Sequence, residues 1–174
     1  MEPFDIQKFM GMWYAVAAIP MAYEKFYAQG NVICEGQVAD YVLVDKSVHI
    51  TNTCYVFDES TNTLNHTSVK GMGTMPKNNK GVMVVTFDMG KFETQPGKYV
   101  VHDTDYTTYA LVGNRESVRD TAPASLWIMA RFCKRIPDAT YARLLQTASG
   151  LYPIDALNKM TVTFKNGPMC VSEK

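Results

Sequence analysis

The sequence predicts an all-β fold, an eight-stranded antiparallel up-and-down barrel with a C-terminal α-helix packed outside it. Three observations carry this. Between Trp13 and Phe132 the chain breaks into short segments of alternating apolar and polar residues rich in strand formers. Most connections between them are of hairpin length and carry turn chemistry, as in DKS, DESTN, MPKNN and QPG. After Ile136 the apolar spacing changes once, from two to helical. Eight antiparallel strands must deal with their exposed edges, and closure into a barrel removes them. A sandwich would need long crossovers between its sheets, which hairpin-length links do not suggest.

The elements follow in order. Strands are expected at Trp13 to Ala18, where GMWYAVAAIP stops at Pro20, then at Gln37 to Val44 and Ser47 to Phe57. Five more are expected at Asn65 to Met72, Val82 to Phe87, Tyr99 to Asp103, Tyr109 to Gly113 and Ser125 to Phe132. The polar stretch NRESVRDTAPA before the eighth is the one longer loop. Pro137 and Asp138 then open a helix in which Tyr141, Leu144, Leu145 and Ala148 recur at helical spacing, and Gly150 closes it. A short second helix is expected from Pro153, and a ninth strand at Met160 to Phe164. With 174 residues and neither a linker nor a repeat, residues 1–174 read as one domain. A chain of this size buries roughly 70% of its unfolded surface in one core.

Seventeen basic and seventeen acidic side chains cancel, so no overall field draws the protein to nucleic acid or an anionic membrane. No apolar run reaches a membrane span, and MEPFDIQKF lacks the basic start and apolar centre of a signal peptide. These features fit a cytosolic protein, or a mature secreted one whose Met1 belongs to expression. Cys34, Cys54, Cys133 and Cys170 form no CxxC pair and His49, His66 and His102 are scattered, which argues against a zinc site. Asn65-His66-Thr67 is a glycosylation sequon.

Three separated stretches then combine: Gly11-x-Trp13 on the first strand, Thr104-Asp105-Tyr106 followed by Tyr109-Ala110-Leu111 between two late strands, and Arg131 ending the eighth. In this order the chain, from about Phe4 to Cys170, resembles the lipocalins. Through Cys34 to Asn52, ending KSVHITN, it is most similar to their bilin-binding and apolipoprotein D-like invertebrate branch. The resemblance implies that Trp13 plugs the closed end under the Arg131 guanidinium, with Gly11 letting the chain approach closely. It implies a disulfide between Cys34 and Cys170. Cys54 and Cys133 depart from the family pattern and are expected to be thiols. It also implies a secreted protein whose signal has been removed.

Strand parity, anchored on this pattern, chooses the inner face. Taking Arg131 as inward brings in Met129, Trp127 and Ser125. Matching Ala39-Asp40-Tyr41 brings in Glu35, Gln37, Ala39 and Tyr41 and leaves Cys34 outward. The remaining strands supply Asn52, Cys54, Val69, Val85, Phe87, Tyr99, Val101, Ala110 and Val112. Such a mostly apolar and aromatic lining suits a hydrophobic small molecule. No histidine shares this face, which argues against axial ligation of a haem.

The expected function is therefore to bind, carry or sequester one hydrophobic molecule: a bilin, carotenoid, retinoid, steroid or fatty acid. No cofactor is required, although a bilin or other hydrophobic chromophore would fit, and the expected assembly is a monomer or weak homo-oligomer. Two alternatives stand beside it. One is a cavity-thiol isomerase resembling lipocalin-type prostaglandin D synthase, with Cys54 as nucleophile, although no cation is expected beside it to lower its pKa. The other is a cytosolic fatty-acid-binding protein, a related barrel in shorter chains without the helix after the last strand.

Overall fold

The computed structural model describes residues 4–19, 34, 36–76, 80–88, 90, 95–132 and 136–162. A one-turn helix, α1 (Ile6–Phe9), precedes the strands and was not anticipated, since four residues carry no helical period. Asp5 caps it, its carboxylate accepting from the Lys8 N–H at 3.2 Å.

The strands are β1 (Gly11–Ala18), β2 (Gly36–Val44), β3 (Ser47–Asp58), β4 (Thr63–Thr74), β5 (Val82–Asp88), β6 (Gly97–Thr104), β7 (Tyr109–Gly113) and β8 (Leu126–Ala130). Each is antiparallel to the next, and β1 pairs with both β2 and β8, so the sheet closes on itself. Among the described residues, α2 (Asp138–Ser149), α3 (Ile154–Leu157) and a short β9 (Thr161–Val162) follow. β9 occupies the edge of β1 beyond β2, opposite Ala17 and Ala18. The expected continuation of this ninth strand to Phe164 lies outside the described residues.

Two apolar clusters divide the molecule. The inner one joins Phe9, Trp13, Tyr41, Ile50, Met83, Val85, Tyr99, Val101, Ala110, Val112 and Met129. The outer one joins Leu111, Leu126 and Ile128, on the opposite faces of β7 and β8, to Leu144, Ala148, Tyr152 and Ala156 of the C-terminal segment. This is what period-two alternation requires of a strand covered on both sides. A bulge between Ala15 and Ala17 puts Ala17 in the outer cluster although Trp13 and Ala15 share the inner parity. A second irregularity, between Val101 and Asp103, falls at His102.

Candidate ligand cavity

The closed end is built from the start of β1. Gly11 has φ +91°, a left-handed conformation that side chains rarely adopt. Trp13 is wholly buried, stacks on Phe9 with ring centroids 5.2 Å apart, and donates its indole N–H to the Phe9 carbonyl at 2.9 Å. The Arg131 guanidinium lies 3.9 Å from the centre of the Trp13 ring. Its nitrogens donate to the carbonyls of Tyr106 (2.8 Å), Met12 (3.2 Å) and Lys8 (2.6 Å), tying together the β6–β7 turn, β1 and α1.

That turn is fixed by the residues of its motif. The Thr104 hydroxyl donates to the Tyr109 carbonyl at 2.8 Å and accepts from the Tyr106 N–H at 2.9 Å. One Asp105 oxygen accepts from the backbone N–H groups of Thr107, Thr108 and Tyr109, and the other from the Thr108 hydroxyl. Partial burial pushes the Asp105 carboxyl up, but these donors outweigh it and hold the group below the usual range. Tyr106 takes φ +66°, and its hydroxyl accepts from the Asp5 N–H at 3.0 Å.

Above this plug lies a cavity of about 540 Å³. Gln37, Ala39, Asn52, Cys54, Val85, Phe87, Tyr99, Ser125, Trp127 and Met129 line it, together with Tyr41 and Ala15. Val101, Ala110 and Val112 are buried in the inner core but do not border the cavity, and Val69 is buried opposite Asn52. Glu35 lies outside the described residues.

The floor carries a buried pair, the Tyr41 and Tyr99 hydroxyls 2.7 Å apart. Burial pushes the Tyr41 phenol up, which keeps it neutral. Higher on the wall, the Trp127 indole N–H donates to Gln37 Oε1 at 3.2 Å. The small Ala15, paired with Gln37 on one side and Met129 on the other, separates the strands that carry these two side chains.

Two expectations about the cysteines are corrected. Cys34 is bonded to Cys54, with Cα atoms 5.4 Å apart, rather than to Cys170. Cys34 was expected to face outward, but it borders the cavity. The parity that excluded it holds only within a strand, and β2 begins at Gly36. Cys54 pairs across the sheet with the inward Gln37, and Cys34, two residues ahead of β2, meets it at the cavity wall. Cys54 is consequently no thiol, and its sulfur is not available as the nucleophile of an isomerase while the bond stands. Cys133 and Cys170 lie outside the described residues.

Sequence reasoning missed the mouth. Asn114, Asp120, Thr121 and Ala122, from the loop between β7 and β8, border the cavity with Gln95, Pro96 and Lys98. This loop holds itself: Asn114 Nδ2 donates to the Pro123 carbonyl at 2.7 Å, Arg115 Nη2 to the Ala122 carbonyl at 2.8 Å, and the Ser125 N–H to Asn114 Oδ1 at 3.0 Å. Lys98 pairs with Glu116 at 2.9 Å and with Asp120 at 3.9 Å. The Glu116 bond raises the Lys98 pKa, while the Glu116 N–H holds Asp120 low. The one usable signal was length, since a long loop in a meander of hairpins is commonly functional.

Among the described residues no group of three or more His, Cys, Asp and Glu side chains is placed to hold a metal ion, and no helix is long and apolar enough to cross a membrane.

A closed up-and-down barrel, plugged at one end by a Trp–Arg pair and hollow at the other, defines a β-barrel of the lipocalin class. The comparisons agree: residues 4–161 match the lipocalin-like domain, and the chain belongs to that family. It is 29% identical over 166 residues to apolipoprotein D of Oryctolagus cuniculus, covering 93% of this chain and 77% of that one. A protein of Acanthamoeba polyphaga mimivirus described as lipocalin R877 is 27% identical over 145 residues, or 81% of this chain and 74% of the relative. In structure the chain is similar to insecticyanin from Manduca sexta, with TM-score 0.67 and 20% identity over 98% of this chain and 85% of that one. The family suggests binding of small hydrophobic ligands.

Proposed function

We propose that the protein binds one small hydrophobic ligand in the barrel cavity and carries or sequesters it without chemical change. The observation that carries this reading is the cavity of about 540 Å³, walled by aromatic and aliphatic side chains with a few neutral polar groups and with Lys98 and Asp120 at its mouth. At interior packing density it accommodates roughly 20 to 30 non-hydrogen atoms, the size of a steroid, a retinoid or a long fatty chain. A bilin would extend into the mouth. The Cys34–Cys54 bond suits an oxidising compartment, which supports a secreted protein.

Trp127 tests the reading, because Trp13 and Trp127 are the two tryptophans of the chain and only Trp127 borders the cavity. A hydrophobic ligand titrated into the parent should quench tryptophan emission, and most of that quenching should vanish in Trp127→Phe. Equal quenching in both proteins would place the ligand elsewhere.

A further inference from the structure

The polar groups of the cavity are graded with depth. Of the described residues that border it, only Lys98 and Asp120 carry charge. Both belong to the mouth, where Lys98 already serves two carboxylates. Below them every polar side chain among the described lining residues is neutral. The Gln37 carbonyl oxygen is taken by Trp127, and the Tyr41 and Tyr99 hydroxyls by each other.

Asn52 is different. It sits across from Ala39, one inward position above the Tyr41–Ile50 pair of the floor. Its Oδ1 is buried and receives no hydrogen bond. A buried carbonyl oxygen without a donor is costly, so a ligand that brings a donor to it is favoured. The neighbouring Ala39 leaves room beside it.

We propose that the inner cavity selects an uncharged lipid bearing a hydroxyl group, which donates to the Asn52 amide oxygen, and that it discriminates against carboxylates. This rests on the carrier reading above. An ionised carboxylate at that depth would lose its hydration and meet no cation among the described residues that border the cavity below the mouth. It would also offer no proton to Asn52 Oδ1. A hydroxyl supplies the missing donor without bringing charge.

Three probes on one skeleton test it: all-trans-retinol, its methyl ether and retinoic acid, titrated at pH 7.5 with tryptophan quenching as the readout. Retinol is expected to bind at least 10-fold more tightly than retinoate and about 5-fold more tightly than the ether. In Asn52→Leu the preference of retinol over the ether should disappear while the ether keeps its affinity within 2-fold. This variant removes an unpartnered acceptor, so its melting temperature should equal or exceed that of the parent. Asn52→Ala serves as a second variant, and the parent series stands without either. Retinoate binding as tightly as retinol, or an unchanged preference in both variants, would overturn the selectivity and leave the carrier reading intact. Absence of binding by all three would overturn both.

Discussion

Gly113 ends β7 where three parts of the molecule meet, and replacing it by alanine should be disproportionately harmful. A Cβ built there would lie 1.9 Å from the Tyr152 hydroxyl oxygen, 2.9 Å from its Cζ and 2.8 Å from the Ser125 carbonyl. The conformation of Gly113 itself is not the obstacle, because its φ is not positive. The obstacles are the Ser125 carbonyl and, closest of all, Tyr152, 1% exposed, whose hydroxyl accepts from the N–H groups of Asn114 at 3.0 Å and Arg115 at 3.3 Å. Making room for the methyl means moving the phenol by more than an ångström and giving up these bonds. Overpacking costs about 1–3 kcal/mol, and two weakened hydrogen bonds add about 1 kcal/mol each, so Gly113→Ala should lose roughly 3–5 kcal/mol. At about 2–4 °C per kcal/mol, the Tm should fall by roughly 6–20 °C. Urea unfolding of four proteins, the parent, Gly113→Ala, Tyr152→Phe and the double variant, measures it. Deleting the phenol oxygen removes the 1.9 Å contact, so the double variant should be about 1–2 kcal/mol more stable than the two single losses predict. Strictly additive losses, or a Gly113→Ala protein within 0.5 kcal/mol of the parent (about the error of additivity), would refute the steric argument.

Three further outcomes are expected. Trp13→Ala, which empties a wholly buried site, should cost about 3–5 kcal/mol in chemical unfolding; a variant as stable as the parent would contradict the plug. Peptide mapping under non-reducing conditions should recover Cys34 joined to Cys54. Replacing both by serine should cost about 3 kcal/mol on the chain-entropy account of a 20-residue separation. His102 is held near pKa 4 by burial, partly opposed by the Glu116 carboxylate, whereas an unfolded histidine titrates near 6.5. The stability its neutral form contributes is complete above pH 6.5 and lost as pH falls towards 4, about 2–3 kcal/mol in all. His102→Gln should flatten this acid limb, and an unchanged slope between those pH values would assign it to other groups.

How much of this was legible in the sequence depends on what each residue's position is set by. The eight strands were legible because alternation is a property of the strand itself, and an anchor at either end fixes the parity of the rest. Gln37, Asn52, Tyr99 and Trp127 border the cavity for that reason. Strand lengths were less legible: β4 runs from Thr63 to Thr74, two residues beyond the expected segment at each end, because polar residues pair as well as apolar ones on an exposed face. The Cys34–Cys54 bond was not legible, since Cys34 stands ahead of β2 and its direction is decided by where the chain returns. The polar residues that mark the mouth segment as a loop are also those that brace it at the cavity border, and composition does not separate the two roles.

That bracing links the outside of the barrel to its opening. The Tyr152 hydroxyl, fixed in the outer cluster by the C-terminal segment, accepts from the first two backbone N–H groups of the mouth loop, and its edge meets His102 with Nε2 3.4 Å from the hydroxyl. The Arg115 guanidinium lies 5.8 Å from the same ring and reaches the Ala122 carbonyl at the cavity border. A charge gained by His102 would therefore arise at a buried site, against the group that pins the loop, with only the Glu116 carboxylate to favour it. The titrating groups that brace the closed end among the described residues, Asp105 under the β6–β7 turn and Asp5 at α1, are carboxyls held below their usual range, so acid reaches them after His102. Acid should consequently loosen the mouth before it loosens the plug, so Asn114 and Arg115 should gain amide exchange at a higher pH than Trp13. Simultaneous loss of protection at both ends would mean that the barrel opens as one unit and that Tyr152 holds nothing specific to the mouth.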